Sequence, residues 1–354
     1  MRMRGRVRAG LKGWGGVGAM AVVCALVLAF ALLLPSARPQ GGGTDTGGQG
    51  VAHAEQAADA KACDDPSIKA HPEYQTLAPS PADGTTIEKI KARKGAQRKL
   101  WVGVDQNSYR WGYRNPNGGT DADLEGFDID LVHRIAQDIL GDPNAVLFKA
   151  IPTNQRIPAI QAGYVDMVVR TMTITCKRLD DVAFSAPYFK TGQQVLAPKS
   201  SKITGYNPTL AGKKVCVAQG STALSNLEDD EKTKKYVAAE DITKVPNQLD
   251  CLVRLQLGEV DAVVTDGALG ASQAAQDPTV ELKDPQGPFT TEYYGVAMKK
   301  GADDLVSRVN QILVDYRKDT TGGWQASYKK WLSATLRGGP AESEPPPPKY
   351  LRTS

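Results

Sequence analysis

The sequence predicts an α/β protein with mostly parallel sheets. From residue 99 onward, short apolar runs alternate with segments of helical spacing. Several of the helical segments stop at a glycine, as at Gly141 and Gly163. The apolar runs end in polar residues, the place where open α/β sheets collect ligands. The stretch 165–188 shows this most fully. An apolar strand, 165–169, gives way to Arg170, Thr171, Thr173, Thr175, Lys177 and Arg178. Hydroxyls beside a guanidinium, whose planar fork holds a carboxylate by two parallel bonds, make an anion cradle. An ordinary strand leaving the core into a polar turn reads the same locally.

Composition narrows the function. The net charge is +4, with 43 basic and 39 acidic residues. Arg2, Arg4, Arg6, Arg8 and Lys12 all precede the first apolar run, and without them the count is 38 against 39. The basic balance belongs to the N-terminus, which argues against nucleic acid as a partner. Residues 17–34 are apolar and uncharged. That run is at the lower limit for a membrane span and longer than a signal-peptide core of ~7–15 residues. The basic flank keeps the N-terminus in the cytoplasm. A cleavable signal and an uncleaved anchor both fit, and either puts the bulk of the chain outside the cytoplasm. Cys24 lies mid-run without the small neighbour of a lipidation site. Four more cysteines, Cys63, Cys176, Cys216 and Cys251, suggest two disulfides in an oxidising compartment, with three pairings open. No CxxC or His-rich spacing supports a metal, and no cofactor is called for.

In chain order, residues 1–37 form the basic flank and signal or anchor segment. Residues 38–97, rich in Gly, Ala and Pro, read as a flexible linker, with a short basic helix at 87–94. Strands are expected at 99–104, 146–150, 165–169, 194–197, 214–218, 260–264 and 295–298. Helices are expected at 128–140 with Asp128 as N-cap, 156–162, after Gln219, and at 249–257, 305–317 and 324–332. Residues 337–354, with four consecutive prolines, read as a disordered or extended tail. Polar groups follow three strands: Asp105 with Asn107, Arg170 to Thr173, and Thr265 with Asp266. Ser221 and Thr222 open a helix, whose free N–H groups favour an anion. An anion clamp beside a cation clamp suits a zwitterion such as an amino acid.

These residues fall into motifs of a known family. Gly126-Phe127-Asp128-Ile129-Asp130-Leu131, Arg156-Ile157-Pro158, Gly163-x-Val165-Asp166, Met172-Thr173-Ile174-Thr175-x-Lys177-Arg178, Phe184-Ser185-x-Pro187-Tyr188, Gly220-Ser221-Thr222 and Val260-Asp261-Ala262-Val263-x-x-Asp266 stand in its order. The chain resembles extracytoplasmic solute-binding proteins of the polar amino-acid (glutamate/glutamine) type, in particular the actinobacterial, mycobacterial GlnH-like group. Its lack of a lipobox cysteine departs from that group. The resemblance implies a type II periplasmic-binding-protein fold, two lobes joined by two hinge crossovers around a ligand cleft. Lobe 1 would comprise 98–192 and 295–336, and lobe 2 residues 193–294. It further implies that Arg178 grips the ligand α-carboxylate with Thr173, Asp266 takes the α-ammonium, and Ser221 and Thr222 reach the carboxylate from lobe 2. Asp105 would lie near the ligand's amino or side-chain end, with Thr171 beside the clamp and Arg110 a weaker candidate for the side-chain end.

Arg170 stands where many relatives have a small residue. A second guanidinium suits a second carboxylate and points to glutamate or aspartate over their amides. The competing reading pairs Arg170 with Asp105 or Asp128, away from ligand. Related receptors carry a disulfide matching Cys216–Cys251, which leaves Cys63–Cys176. The expected protein is a monomer, not an enzyme. It would be held at the membrane by its N-terminus or secreted, and would serve an ABC permease or a membrane-linked nutrient sensor. The alternative is an enzyme on the same fold, such as a periplasmic dehydratase.

Overall fold

The structure, a computed structural model, describes residues 62–115, 123–229, 236–336 and 343–352. Two five-stranded sheets form two lobes. In lobe 1 the strand order is Val146–Ala150, Leu100–Val104, Met167–Val168, Ala297–Lys299, Val182–Phe184. The first three are parallel, and Ala297–Lys299 runs antiparallel to both its neighbours. In lobe 2 the order is Ile242–Val245, Val215–Ala218, Ala262–Asp266, Gln193–Pro198, Val280–Leu282. Again three strands are parallel and the remaining two pair antiparallel. The sheets are thus more mixed than simple alternation predicts. The reason is the crossovers: Gln193–Pro198 and Ala297–Lys299 each arrive directly from the opposite lobe and not through a helix. Phe189–Thr191 and Glu292–Tyr294, themselves an antiparallel pair, carry the chain between lobes.

Each sheet repeats one arrangement, with its first strand in chain order among the parallel three lying between the other two. That is a topological switch point, and it opens a crevice at the carboxyl ends of the strands. An aromatic cluster of Trp111, Phe127, Tyr188, Phe189, Tyr294 and Trp324 fills the space under the crossovers, all of it buried. Trp111 meets Phe189 edge-on at 4.9 Å between ring centroids, a favoured geometry for such pairs.

Several expectations are corrected. Residues 62–97 are not a flexible linker as far as they are described. Helix Thr85–Lys91 buries Ile87 and Ile90 against lobe 1, and the Asp304 carboxylate accepts from Thr86 and Ile87 N–H at 2.9 Å to cap it. Thr76 donates its hydroxyl to Phe184 O at 2.7 Å. The tail is extended but docked over 343–352. Leu351 N–H donates to Tyr74 O, Arg352 N–H to Thr76 O, and the Arg352 guanidinium pairs with Asp303 at 2.6 Å. Helix Phe127–Leu140 is capped by Gly126, not by Asp128, which turns inward and is buried. The disulfides Cys63–Cys176 and Cys216–Cys251 are both formed. The apolar run 17–34 lies outside the described residues. Among those described, no helix is long and apolar enough to cross a membrane.

Candidate functional site

Between the lobes lies a cleft that is nearly shut, with about 10 Å³ open to a water-sized sphere, far below the ~300–1,000 Å³ usual for ligand pockets. Lobe 1 lines it with Arg156, Thr171, Thr173 and Arg178, and lobe 2 with Ser221, Thr222, Gln248, Thr265 and Asp266 among others.

Arg178 sits on the one-turn helix Cys176–Leu179, directly after the strand-end threonines. The Thr175 hydroxyl caps that turn by accepting from Arg178 N–H, and the Cys63–Cys176 disulfide ties it down. The Arg178 guanidinium donates to Thr173 O at 2.6 Å and across the cleft to Gly220 O at 3.0 Å. Arg156 opens the helix Arg156–Gln161 and is buried. It donates to Thr153 O, to Arg170 O and, also across the cleft, to Gly220 O at 3.1 Å. These bonds leave each guanidinium further N–H groups for a ligand, since arginine carries five. Burial, then the neighbouring Arg178 and Arg170, works against the charge on Arg156; Asp266 and Asp105 support it. Gly220 has φ +78°, and a Cβ there would lie 2.8 Å from Asn154 Cα, so the approach of the lobes at this point requires glycine.

Asp266 ends the strand Ala262–Asp266 and precedes helix Gly267–Gln276, yet its carboxylate caps nothing. It accepts instead from the Tyr294 hydroxyl at 2.6 Å. Burial and the nearby Glu292 push its pKa up to about 7, against the pull of Tyr294, Arg178 and Arg156. Ser221 accepts from Leu224 N–H and so caps helix Thr222–Asp229, leaving its own hydroxyl proton to donate. The Thr222 hydroxyl donates to Glu292 and accepts from Gln193. Gln248 spends its side-chain oxygen on the Thr153 hydroxyl at 3.2 Å, so what it has left for a ligand is its NH₂.

Six of the nine ligand residues expected from the sequence thus come together: Thr171, Thr173, Arg178, Ser221, Thr222 and Asp266. Three do not line the cleft. Arg170 is fully buried behind it and pairs with Asp105 at 2.8 Å, which corrects its assignment to a ligand carboxylate. The Asp105 oxygens are saturated by Gln106 N–H, Asn107 N–H, the Ser108 hydroxyl and Arg170, leaving nothing for an ammonium. Arg110 turns away and donates to Trp331 O at a helix C-terminus, where a cation is favoured. Two cleft-lining residues were missed: Arg156, read as the opening of a helix, and Gln248, just ahead of the helix expected at 249–257. Thr171 holds φ +40°, rare for a β-branched residue, with its N–H given to the buried Asp128 carboxylate at 3.1 Å. Burial pushes Asp128 up to about 7, against the hydrogen bonds from Tyr188 and Thr171.

Comparison with protein families matches residues 100–334 to the bacterial extracellular solute-binding proteins, family 3. The chain belongs to this family. The ABC transporter glutamine-binding protein GlnH of Bacillus subtilis is 36% identical over 66% of this chain and 81% of its own length. The glutamate-binding protein GluB of Corynebacterium glutamicum is 30% identical over 62% of this chain and 74% of its own. Among solved structures, an ancestral arginine-binding protein bound to glutamine superposes with a TM-score of 0.58 at 35% identity, over 66% of this chain and 97% of its own. The ancestral amino-acid-binding protein AncCDT-1, described as a precursor of cyclohexadienyl dehydratase, gives 0.59 at 31% identity, over 70% and 100%. The fold is that of the two-lobed amino-acid-binding proteins.

Proposed function

We propose that the protein captures an acidic amino acid outside the cytoplasm, closes on it, and presents it to an ABC permease or a membrane-linked nutrient sensor. The observation that carries the acidic preference is the charge of the cleft wall. Two guanidiniums, Arg156 and Arg178, face a single lining carboxylate, Asp266. A ligand with two carboxylates and one ammonium complements that wall. Glu292 lies behind Thr222, and its oxygens are already supplied by Gln193, Thr222 and Thr290. In this reading Arg178 and Thr173 hold the α-carboxylate and Asp266 the α-ammonium. Arg156 and the Gln248 NH₂ receive the second carboxylate. An amide in that place turns its own NH₂ toward donors, leaving buried N–H groups unpaired. The relatives named for glutamine and glutamate support an amino acid of this size and leave the choice between acid and amide to the wall.

Titration calorimetry with glutamate, aspartate, glutamine and asparagine tests this. The acids are expected to bind at least about tenfold tighter, the equivalent of about 1.4 kcal/mol. Arg178→Ala should weaken every ligand by about ten- to a hundredfold, since a charged hydrogen-bond pair contributes ~1.5–3 kcal/mol. Arg156→Gln should narrow the gap between acid and amide. Glutamine binding as tightly as glutamate to the unaltered protein overturns the acidic preference. Turnover of any bound compound would favour an enzyme on this fold instead.

A further inference from the structure

The residue that the cleft does not use joins the two lobes. Arg170 is anchored in lobe 1 by Asp105 at 2.8 Å and by the Thr153 hydroxyl at 2.9 Å. Its Nη2 also donates to Asn247 Oδ1 of lobe 2 at 3.1 Å. Asn247 is the N-cap of helix Gln248–Gln256, in a reciprocal capping box with Asp250. The next residue is Gln248, which lines the cleft and accepts from Thr153. Thr153 N–H adds a bond to Pro246 O at 3.1 Å. The segment 246–248 is therefore seated on a buried guanidinium and its neighbouring threonine. A ligand reaches a cleft spanned by such bonds only when the lobes part. Parting breaks the Asn247 bond while leaving the bonds to Asp105 and Thr153, which lie within lobe 1.

We propose that Arg170 and Asn247 form a closure latch, a positioning pair that sets how much of the protein is closed without touching the ligand. The inference goes beyond the ligand reading above and rests only on its claim that the lobes close. A pair that favours the closed form raises the apparent affinity for every ligand by the same factor, because affinity scales with the fraction that is binding-competent. The latch is charge-assisted, hence stronger than a neutral hydrogen bond. It lies at a helix cap that tolerates replacement. Serine caps as well as asparagine does but is too short to hold the guanidinium in the same place.

The test is Asn247→Ser in the full chain. Affinity for glutamate and aspartate, and for any amide that binds, is expected to fall by a common factor of about ten, with the loss in the dissociation rate. A distance probe with one label on each lobe should report a wider average separation in the ligand-free variant and the unaltered distance at saturating ligand. The ligand-free melting temperature should hold, since the cap is kept. Arg170→Lys, which retains a charge for Asp105 but loses the fork, should act in the same direction. An unchanged affinity and lobe separation in Asn247→Ser overturns the latch. So does a loss that differs between ligands, because that assigns Asn247 to ligand contact. Equal binding of acid and amide defeats the acidic reading alone, since the common factor can be read from any ligand that binds.

Discussion

The two lobes bring opposite halves of one interaction to the cleft. Lobe 1 supplies the guanidiniums: Arg156, Arg170 and Arg178, all at or near the ends of its strands. Lobe 2 supplies acceptors at the starts of its helices: Gly220 O, Asn247, Gln248 and Asp266. Lobe 1 is the half under electrostatic load, because two buried cations, Arg156 and Arg170, and the half-buried Arg178 stand near one another, and of these only Arg170 has an ion-paired carboxylate within the lobe. Arg156 and Arg178 each reach instead to a lobe-2 carbonyl, Gly220 O. The difference teaches that closure is part of how lobe 1 satisfies its charges.

The strongest way to break that asymmetry is to remove the counter-ion that lobe 1 gives Arg170. Asp105→Ala leaves Arg170 buried and unpaired and is expected to destabilise the protein by about 3–5 kcal/mol in chemical denaturation. Asp266→Ala, at the lobe-2 wall, should cost far less stability; equal losses would refute the picture of a loaded lobe 1.

A second test uses pH. Asp128 of lobe 1 and Asp266 of lobe 2 are both raised to about 7, whereas an unfolded chain titrates aspartate near ~3.9. The folded protein therefore holds protons that the unfolded chain releases, and the stability this brings is lost as pH rises through about 7. The ligand-free melting temperature should rise as pH falls from about 8 to about 5.5. The rise in melting temperature caused by ligand should shrink over the same range, because in the proposed binding mode the ligand ammonium pairs with an ionised Asp266. Asp266→Asn should abolish this change in the ligand effect and leave the Asp128 part of the stability trend.

The smallest expected effect sharpens the lobe-1 half alone. A β-branched residue at φ +40° costs on the order of 1–2 kcal/mol. Thr171→Gly should return about 1 kcal/mol of that in thermal or chemical unfolding, while losing whatever the hydroxyl gives the ligand.

Much of the site was legible because strand ends and helix starts are legible. Thr173, Ser221 and Asp266 follow from the rule that polar residues there face the crevice, and Arg178 from the family resemblance. Arg170 and Asp105 show where the rule stops. Gly103 is in register with Val168, so two residues further on Asp105 and Arg170 stand side by side. That pairing depends on which strands are neighbours, which no local pattern states. Arg156 and Gln248 were hidden because each begins a helix after a loop whose path is set by the other lobe. The supposed linker misled for a different reason. Its buried apolar side chains are few and widely spaced, Leu77, Ile87 and Ile90, and composition averages them away.

The docked ends of the described chain have a mechanical consequence. Ala62 N–H donates to Asp180 beside the Cys63–Cys176 disulfide, and the 351–352 segment lies along Tyr74 and Thr76. Both ends are thus fastened to lobe 1, while lobe 2 hangs from two crossovers. A pull on either described end is therefore borne by lobe 1, and it reaches lobe 2 only through the crossovers and the bonds that span the cleft.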